Sequence, residues 1–234
     1  MKKYILFPIL VVSMLAFSAC EMDLTNPNAA TENEVYGTKD GLFALSVGIQ
    51  QLYSVSALEP VLLTPSVTTR ETAIMTTFAN LEELETGGPS LSGDNGYTVR
   101  LFSRLMRIKG MAENLIEAVP QVNLEAGTAS GLTAWGHLFR AMTLGNLAHN
   151  FEQVALENSL DNQAVFSSRE AAYAEAISLL EQGVALLNST PASAEFKSVV
   201  SPDIDLKNTM LAMLARYQLM SGSYAAAAST AAQV

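Results

Sequence analysis

The feature that most constrains the fold of this chain is a regular spacing of large, small and turn-forming residues over residues 211–234. A large residue, a leucine and a small residue are followed by a glycine, an aromatic residue and an alanine: Leu211, Leu214, Ala215, Gly222, Tyr224 and Ala227. Apolar residues at helical spacing on both sides of a glycine predict two helices joined by a turn. Because such a pair cannot bury its apolar face alone, it must stack on neighbouring helices.

These positions match, without a gap, the tetratricopeptide pattern, a helical hairpin repeated every roughly 34 residues. A second copy begins at Trp135, and Leu138 and Met142 occupy its next apolar positions. Phe139 stands where the pattern has a small residue, and an inserted loop precedes the partner helix at residues 169–187. The second copy is therefore degenerate. The two copies predict stacked helical hairpins in a right-handed array with irregular loops.

The helices of this region carry further packing and capping signals. Ser167 with Glu170 forms a capping-box pattern, and Pro191 ends the helix at residues 169–187. The helix at residues 132–151 has a wide apolar face, which predicts that it is mostly enclosed. Its one polar strip consists of Thr133, His137, Arg140, Thr143, Asn146 and Asn150. Six small residues are predicted to let backbones approach closely: Ala212, Ala215, Ala225, Ala226, Ala227 and Ala228.

Helical periodicity also dominates the first half of the chain. Thr38 can cap a helix that runs to about Tyr53, and residues 58–65 are predicted to break it. A second helix is predicted over residues 69–84 and a third over residues 98–119, with the Gly-rich loop 86–97 between them. The sequence offers no convincing β-alternation beyond fragments at residues 61–63 and 199–200. The predicted fold is all-α.

The N-terminus has the pattern of a processing signal. Lys2 and Lys3 precede an apolar run over residues 4–17, and small residues precede Cys20. This pattern resembles a bacterial lipobox, which implies a lipoprotein signal peptide over residues 1–19 and acylation of Cys20. The alternative is an ordinary secretory signal with an incidental cysteine. Since Cys20 is the only cysteine in the sequence, a disulfide within one molecule is excluded.

The charge balance limits the partners of the chain. Removal of residues 1–19, which contain Lys2 and Lys3, takes the formal net charge from −10 to −12. Such a charge repels phosphate backbones, so nucleic acid is not expected as a partner. It also offers no basic patch that would bind anionic lipid. The predicted contact with the lipid bilayer is the acylated Cys20 alone. Residues 20–36 are polar and are predicted to be an N-terminal tether before a helical domain over residues 37–234.

Catalytic and metal-binding patterns are weak. His137 and His149 are the only histidines, and they lie about 120° apart around one helix, so they do not share a face. His149 and Glu152 could offer two metal ligands, but a catalytic zinc needs three. A glycosidase would need two facing carboxyl groups. Four acids near the Gly-rich loop are candidates but are typical of a solvated helix end: Glu82, Glu83, Glu85 and Asp94. We therefore predict neither an enzyme nor a metal or cofactor site.

Sugar binding needs only an aromatic face and a few polar groups. Asp94, Asn95 and Tyr97 bring these together just before the helix at residues 98–119. They are the predicted ligand-binding residues, and a hydrated turn is the alternative interpretation. Trp135 occupies a packing position of the repeat and is predicted to be a core residue rather than a ligand platform.

Several segments, in order, resemble the SusD/RagB family. They are the lipobox-like Cys20, residues 24–28 (LTNPN), 31–36 (TENEVY) and 112–115 (AENL), Trp135 with residues 138–141 (LFRA), and residues 213–217 (MLARY). The resemblance implies a lipid-anchored outer-membrane protein on tetratricopeptide helices that binds an oligosaccharide or other nutrient at the cell surface. It further implies delivery to a TonB-dependent, SusC-like transporter, and that the loop before residue 98 borders the ligand site.

Members of that family are longer, and the chain stops about seven residues short of closing its last repeat of roughly 34 residues. We therefore expect it to be the N-terminal portion of a longer protein. The first hypothesis for its function is a nutrient-binding surface lipoprotein. The alternative is a tetratricopeptide scaffold that holds envelope proteins and binds no small molecule.

Overall fold

The computed structural model describes residues 31–157 and 163–234. Its contacts divide the chain into Met1–Glu32 and Asn33–Val234, and the helical body lies in the second unit. The predicted signal peptide, Cys20 and residues 20–30 of the predicted tether lie outside the described residues. The remaining tether residues include a short helix, α1 (Glu32–Tyr36).

The helical body begins with one long helical run, followed by a shorter helix and a second long helix. The elements are α2 (Lys39–Leu52), a π-helical turn (Tyr53–Ala57), α3 (Leu58–Thr68), α4 (Ala79–Thr86), a 3₁₀ turn (Gly88–Ser90) and α5 (Gly96–Ala118). Thr38 caps α2 as predicted, since its hydroxyl oxygen accepts a hydrogen bond from the Gly41 amide at 3.1 Å. The long predicted helix at residues 98–119 is confirmed as α5.

The second half continues the helical pattern with one short strand pair. A 3₁₀ turn (Val119–Gln121) leads to α6 (Ala126–Asn150), β1 (Gln153–Ala155), β2 (Phe166–Ser168), α7 (Arg169–Ser189), α8 (Ala194–Val199), α9 (Leu206–Met220) and α10 (Tyr224–Ala231). The two strands pair antiparallel, with Val154 opposite Ser167. Strand structure within the described residues is limited to this pair, so the predicted all-α fold is confirmed.

The helices stack in chain order. Helix α6 packs between α5 and α7, α7 packs against α9, and α9 pairs with α10. Helix α2 crosses both α5 and α6. The turn between α9 and α10 contains Gly222 at φ +83°, a left-handed conformation that glycine adopts without strain. The two predicted hairpins are thus α6/α7 and α9/α10, and their contacts are consistent with tetratricopeptide-like stacking.

Trp135 lies in the core, as predicted. It is fully buried, and its indole Nε1 donates a hydrogen bond to the Ser46 carbonyl at 3.0 Å. Its ring packs against those of Phe139 and Phe196, with centroids 5.0 Å and 6.1 Å away. The core therefore joins α2, α6 and α8 through one aromatic cluster.

Three predicted boundaries were wrong. Residues 58–65 do not break the helix. The preceding π-helical turn shifts the backbone hydrogen bonds by one residue, so that the Leu58 amide donates to the Tyr53 carbonyl and the helix continues. Residues 69–78 are not helical: Arg70 has φ +60° and the segment is rich in threonine, a weak helix former. The cap of α7 is Ser168, since Ser167 lies in β2.

The continuous helical run Lys39–Thr68 is long and apolar enough to span a bilayer by length and composition, which is weak evidence for a membrane span. The buried helix of a soluble core meets the same criterion. Here Leu42, Ile49, Ala57 and Val67 are fully buried in the protein. The apolarity of this run is therefore explained in part by packing.

The prediction about small residues was wrong at four of its six positions, whereas Ala227 is buried and Ala215 is half-buried. Ala212, Ala225, Ala226 and Ala228 are exposed, and close helix approach occurs instead at glycines of α6 and α7. A β-carbon placed on Gly131 would lie 2.5 Å from the Phe196 ring. The alanines face outward because no described element covers the outer face of the last hairpin.

Candidate functional site

The predicted ligand-binding residues lie where the loop after α4 enters α5. Asp94 is exposed, Asn95 is only 1% exposed and Tyr97 is half-buried. The loop turns at Gly87 and Gly88, which have φ of 63° and 58°. Glycine tolerates this left-handed conformation at no steric cost. The three residues are close together because they are near neighbours in the sequence, but their side chains differ in how accessible they are to a ligand.

Asn95 holds the loop in place. Its Oδ1 accepts hydrogen bonds from the Tyr97 and Thr98 amides at 3.1 and 3.4 Å, which caps α5. Its Nδ2 donates to the Asn80 carbonyl at 2.9 Å and to Glu83 Oε2 at 2.8 Å. Both ends of the side-chain amide are therefore engaged within the protein.

An aromatic pair forms the surface beside this cap. The rings of Phe78 and Tyr97 meet edge to face, with centroids 6.3 Å apart, and Phe78 remains 52% exposed. The Arg100 guanidinium carbon lies 4.8 Å from the centroid of the Tyr97 ring. Glu59 holds that guanidinium in an ion pair of 2.5 Å. The result is a partly exposed aromatic surface whose orientation is fixed by a neighbouring cation.

Phe78 and Arg100 were missed as site residues. Phe78 lies in the helix predicted over residues 69–84, but the helix that forms begins only at Ala79. Arg100 carried a usable signal, because residues three apart on a helix lie side by side and Tyr97 and Arg100 both lie in the first turns of α5. With Asp94 at the rim, the surface combines an aromatic face, a carboxylate and a guanidinium, the groups that bind a sugar ring and its hydroxyls.

Three of the four acids near the loop accept hydrogen bonds from residues of the same region. Glu83 accepts the hydrogen bond from Asn95, and Glu85 Oε1 accepts one from the Ile74 amide at 3.4 Å. Asp94 accepts a hydrogen bond from the Ser92 hydroxyl. These hydrogen bonds link residues 74–85 to the loop and the loop to itself.

The two histidines of α6 have different environments: His137 is half-buried and His149 is exposed. His137 Nδ1 lies 3.2 Å from the Leu179 carbonyl, and burial lowers the pKa of this imidazole. Burial also lowers the pKa of His149, and the nearby cations Arg216 and Arg169 act in the same direction. The described part of the chain brings no three His, Cys, Asp or Glu side chains together in a metal-binding arrangement.

The polar strip of α6 is used for internal bonds. Asn146 Nδ2 donates to the Tyr53 hydroxyl at 3.1 Å. Arg140 joins three helices, since its Nε lies 3.1 Å from Glu113 Oε1 on α5 and its Nη2 lies 3.5 Å from Glu175 Oε1 on α7. Glu113 also pairs with the fully buried Lys109 at 2.7 Å. The i,i+4 spacing of Lys109 and Glu113 was visible in the sequence, but their burial was not.

Comparison with known proteins bears on the fold. No protein-family model matches the sequence, and no curated protein does. A crystal structure of a SusD-like protein from Bacteroides fragilis NCTC 9343 superimposes with a TM-score of 0.64 at 14% sequence identity. The match covers 88% of this chain and 39% of that one, so the chain spans less than half the length of this neighbour. The chain therefore has the fold of a SusD-like protein.

Proposed function

We propose that this protein is a lipid-anchored outer-membrane protein that binds an oligosaccharide or other nutrient at the cell surface and passes it to a TonB-dependent, SusC-like transporter. The observation that carries the proposal is the SusD-like fold over 88% of the chain. The lipobox-like residues before Cys20 support the anchor, and acylation of that thiol would supply the membrane attachment.

The proposed ligand surface consists of Asp94, Tyr97, Phe78 and Arg100. A pyranose ring stacks its C–H face on an aromatic ring, and charged groups at the edge bind its hydroxyls. Asn95 supports this surface by capping α5 rather than by contacting the ligand. Binding and release need no covalent step, so these residues have no catalytic role in the proposal.

The test is a binding screen of the purified mature protein against a panel of polysaccharides, with Tyr97→Ala and Phe78→Ala as variants. Tyr224→Ala is the matched control, because Tyr224 is 69% exposed on the distant helix α10. Stacking of a nucleic-acid base on one aromatic side chain is worth about 1–3 kcal/mol. If a sugar ring stacks with similar strength, Tyr97→Ala is expected to weaken glycan binding by about fivefold or more. Equal binding by Tyr97→Ala and the parent protein would refute the proposed surface.

The anchor and the transporter need separate measurements. Incorporation of an alkyne-labelled fatty acid that is lost in Cys20→Ala would support the anchor. Co-purification with an outer-membrane barrel from the native envelope would support delivery to a transporter. A mature protein without lipid would remove the proposed localisation but leave glycan binding intact.

A scaffold function is the second candidate, and one surface favours it. The run Lys39–Thr68 exposes an apolar row at helical spacing: Val47, Val55, Leu58 and Leu62. Exposed apolar rows of this kind are typical of protein–protein contacts. Under this hypothesis, Val55→Asp with Leu62→Asp would abolish partner cross-linking in the envelope, and Tyr97→Ala would not.

A further inference from the structure

A cavity of about 400 Å³ lies between the end of α7, the short helix α8 and the start of α9. Its apolar walls include Leu187, Ala192, Phe196, Ile204 and Leu206. It shares no residue with the aromatic surface proposed for nutrient binding. Its volume falls in the range of small-molecule sites, which are usually largely apolar with a few polar groups.

The walls of this cavity are held by the fold. Phe196 is fully buried against Trp135, and Gly131 leaves its ring no room to move toward α6. Helix α8 is tied to α6 by the Ser193 amide, which donates to the Gly127 carbonyl at 3.1 Å. The cavity is therefore preformed, and a ligand would not have to order its walls.

One buried polar group in the cavity wall has no protein partner. Ser201 lines the cavity and is only 3% exposed. Its hydroxyl makes no hydrogen bond to any described residue. Buried hydroxyl groups are almost always paired, and an unpaired one destabilises the folded state. A turn of the Ser201 side chain toward the cavity would let a ligand atom supply the missing partner.

Two lysines give the cavity a local positive charge within an acidic protein. Lys197 and Lys207 line it, and neither has a carboxylate within 4.0 Å among the described residues. The third charged residue of the lining, Asp205, uses its carboxylate to cap α9 through the Asn208 amide at 3.1 Å. In a chain of net charge −10, two such cations beside one apolar cavity favour an anion.

We propose that this cavity binds a small amphipathic anion, with an apolar body against Phe196 and Leu206 and an anionic head near Lys197 and Lys207. The Ser201 hydroxyl donates a hydrogen bond to the head group. The site is independent of nutrient binding at Tyr97, and the protein would carry both ligands at once.

Octanoate is a suitable probe, and isothermal titration calorimetry on the full chain measures its binding. We expect saturable binding of octanoate that 1-octanol and acetate do not reproduce. The double variant Lys197→Gln/Lys207→Gln should weaken binding by about tenfold, since each lysine contributes a modest charge interaction. Lys207→Gln alone is compared with Arg216→Gln, which removes one positive charge from the same helix, α9, about 13 Å further along its axis and should leave octanoate binding unchanged.

Ser201→Ala separates a ligand contact from a structural role. Removal of the unpaired hydroxyl should raise the melting temperature of the free protein while weakening octanoate binding by about fivefold. Ala192→Phe, which fills the cavity, should abolish binding and leave the circular dichroism spectrum unchanged. Octanoate binding that is absent, that is matched by 1-octanol, or that survives Ala192→Phe would overturn the proposal. None of these outcomes affects glycan binding by the same samples.

Discussion

Gly145 offers a sharp test of the way α6 packs against α9. A β-carbon at this position would lie 2.1 Å from Cζ and 2.4 Å from Cε1 of Tyr217. The Tyr217 ring is 1% exposed, and its hydroxyl donates to the Met142 carbonyl at 3.2 Å. Gly145→Ala must therefore displace a rigid, buried ring, because real β-carbons do not approach other atoms this closely.

The expected change in the free energy of unfolding is the sum of opposing contributions. Alanine is favoured over glycine inside a helix by about 1 kcal/mol. Overpacking of a core costs about 1–3 kcal/mol or more, and loss of the Tyr217 hydrogen bond costs about 1 kcal/mol. We therefore expect Gly145→Ala to lower the free energy of unfolding by about 1–3 kcal/mol.

Gly48→Ala is the matched control. Gly48 lies inside α2, and the nearest atom outside that helix to an added β-carbon, Met111 Cε, is 3.9 Å away, an ordinary contact. Here the helix preference acts alone, so Gly48→Ala should raise the free energy of unfolding by about 0.5–1 kcal/mol. The same chemical change is thus expected to have opposite signs at the two positions.

Urea denaturation followed by circular dichroism measures both variants. In a domain of this size, 1 kcal/mol corresponds to a shift in melting temperature of about 2–4 °C. In a Tyr217→Leu background the Gly145→Ala penalty should largely disappear, since the clashing ring is gone. A Gly145→Ala protein as stable as Gly48→Ala would refute the packing of α9 on α6.

Three further predictions concern the loop, the pH response and the core. Asn95→Ala should lower the free energy of unfolding by about 1–2 kcal/mol, because it removes the cap of α5. Asn95→Asp keeps the cap but places a carboxylate against Glu83, so it should also destabilise the protein. Urea denaturation measures both variants. Burial lowers the pKa of His137 from 6.5, so the unfolded chain binds more protons than the folded one. The free energy of unfolding should therefore fall as the pH drops from about 7 to 5, and His137→Asn should make this fall smaller. Trp135→Ala should lower the free energy of unfolding by about 3–5 kcal/mol, because it removes a fully buried side chain. In the parent protein, the fluorescence of Trp135 should shift to longer wavelength on unfolding.

Much of the helical architecture was predictable because its signals are local. Thr38 caps α2, Gly222 turns α9 into α10, and the apolar spacing around Trp135 marks a core helix. Capping and periodicity act within a few residues, so they are visible without knowledge of the fold. The candidate loop was located for the same reason, since Asn95 directly precedes a strong helix.

The errors arose where distant contacts override local preference. A break was predicted at residues 58–65, but the π-helical turn and packing on α5 keep the run helical. Phe78 was placed on a helix, whereas the irregular segment before α4 brings it against Tyr97. The packing on α5 and the contact with Tyr97 both involve residues that are distant in the sequence from the position concerned.

The sequence by itself determined that this chain forms stacked helical hairpins, because periodicity, caps and turn glycines are properties of neighbouring residues. Only the tertiary structure decided which small residues lie between helices, that Asn95 is a cap rather than a free ligand group, and that Lys197, Lys207 and Ser201 surround one cavity. The physical reason is that helix rotation and spacing are set by the packing of side chains from several helices at once. The residues next to a side chain in the sequence therefore do not determine which side chain of another helix it contacts.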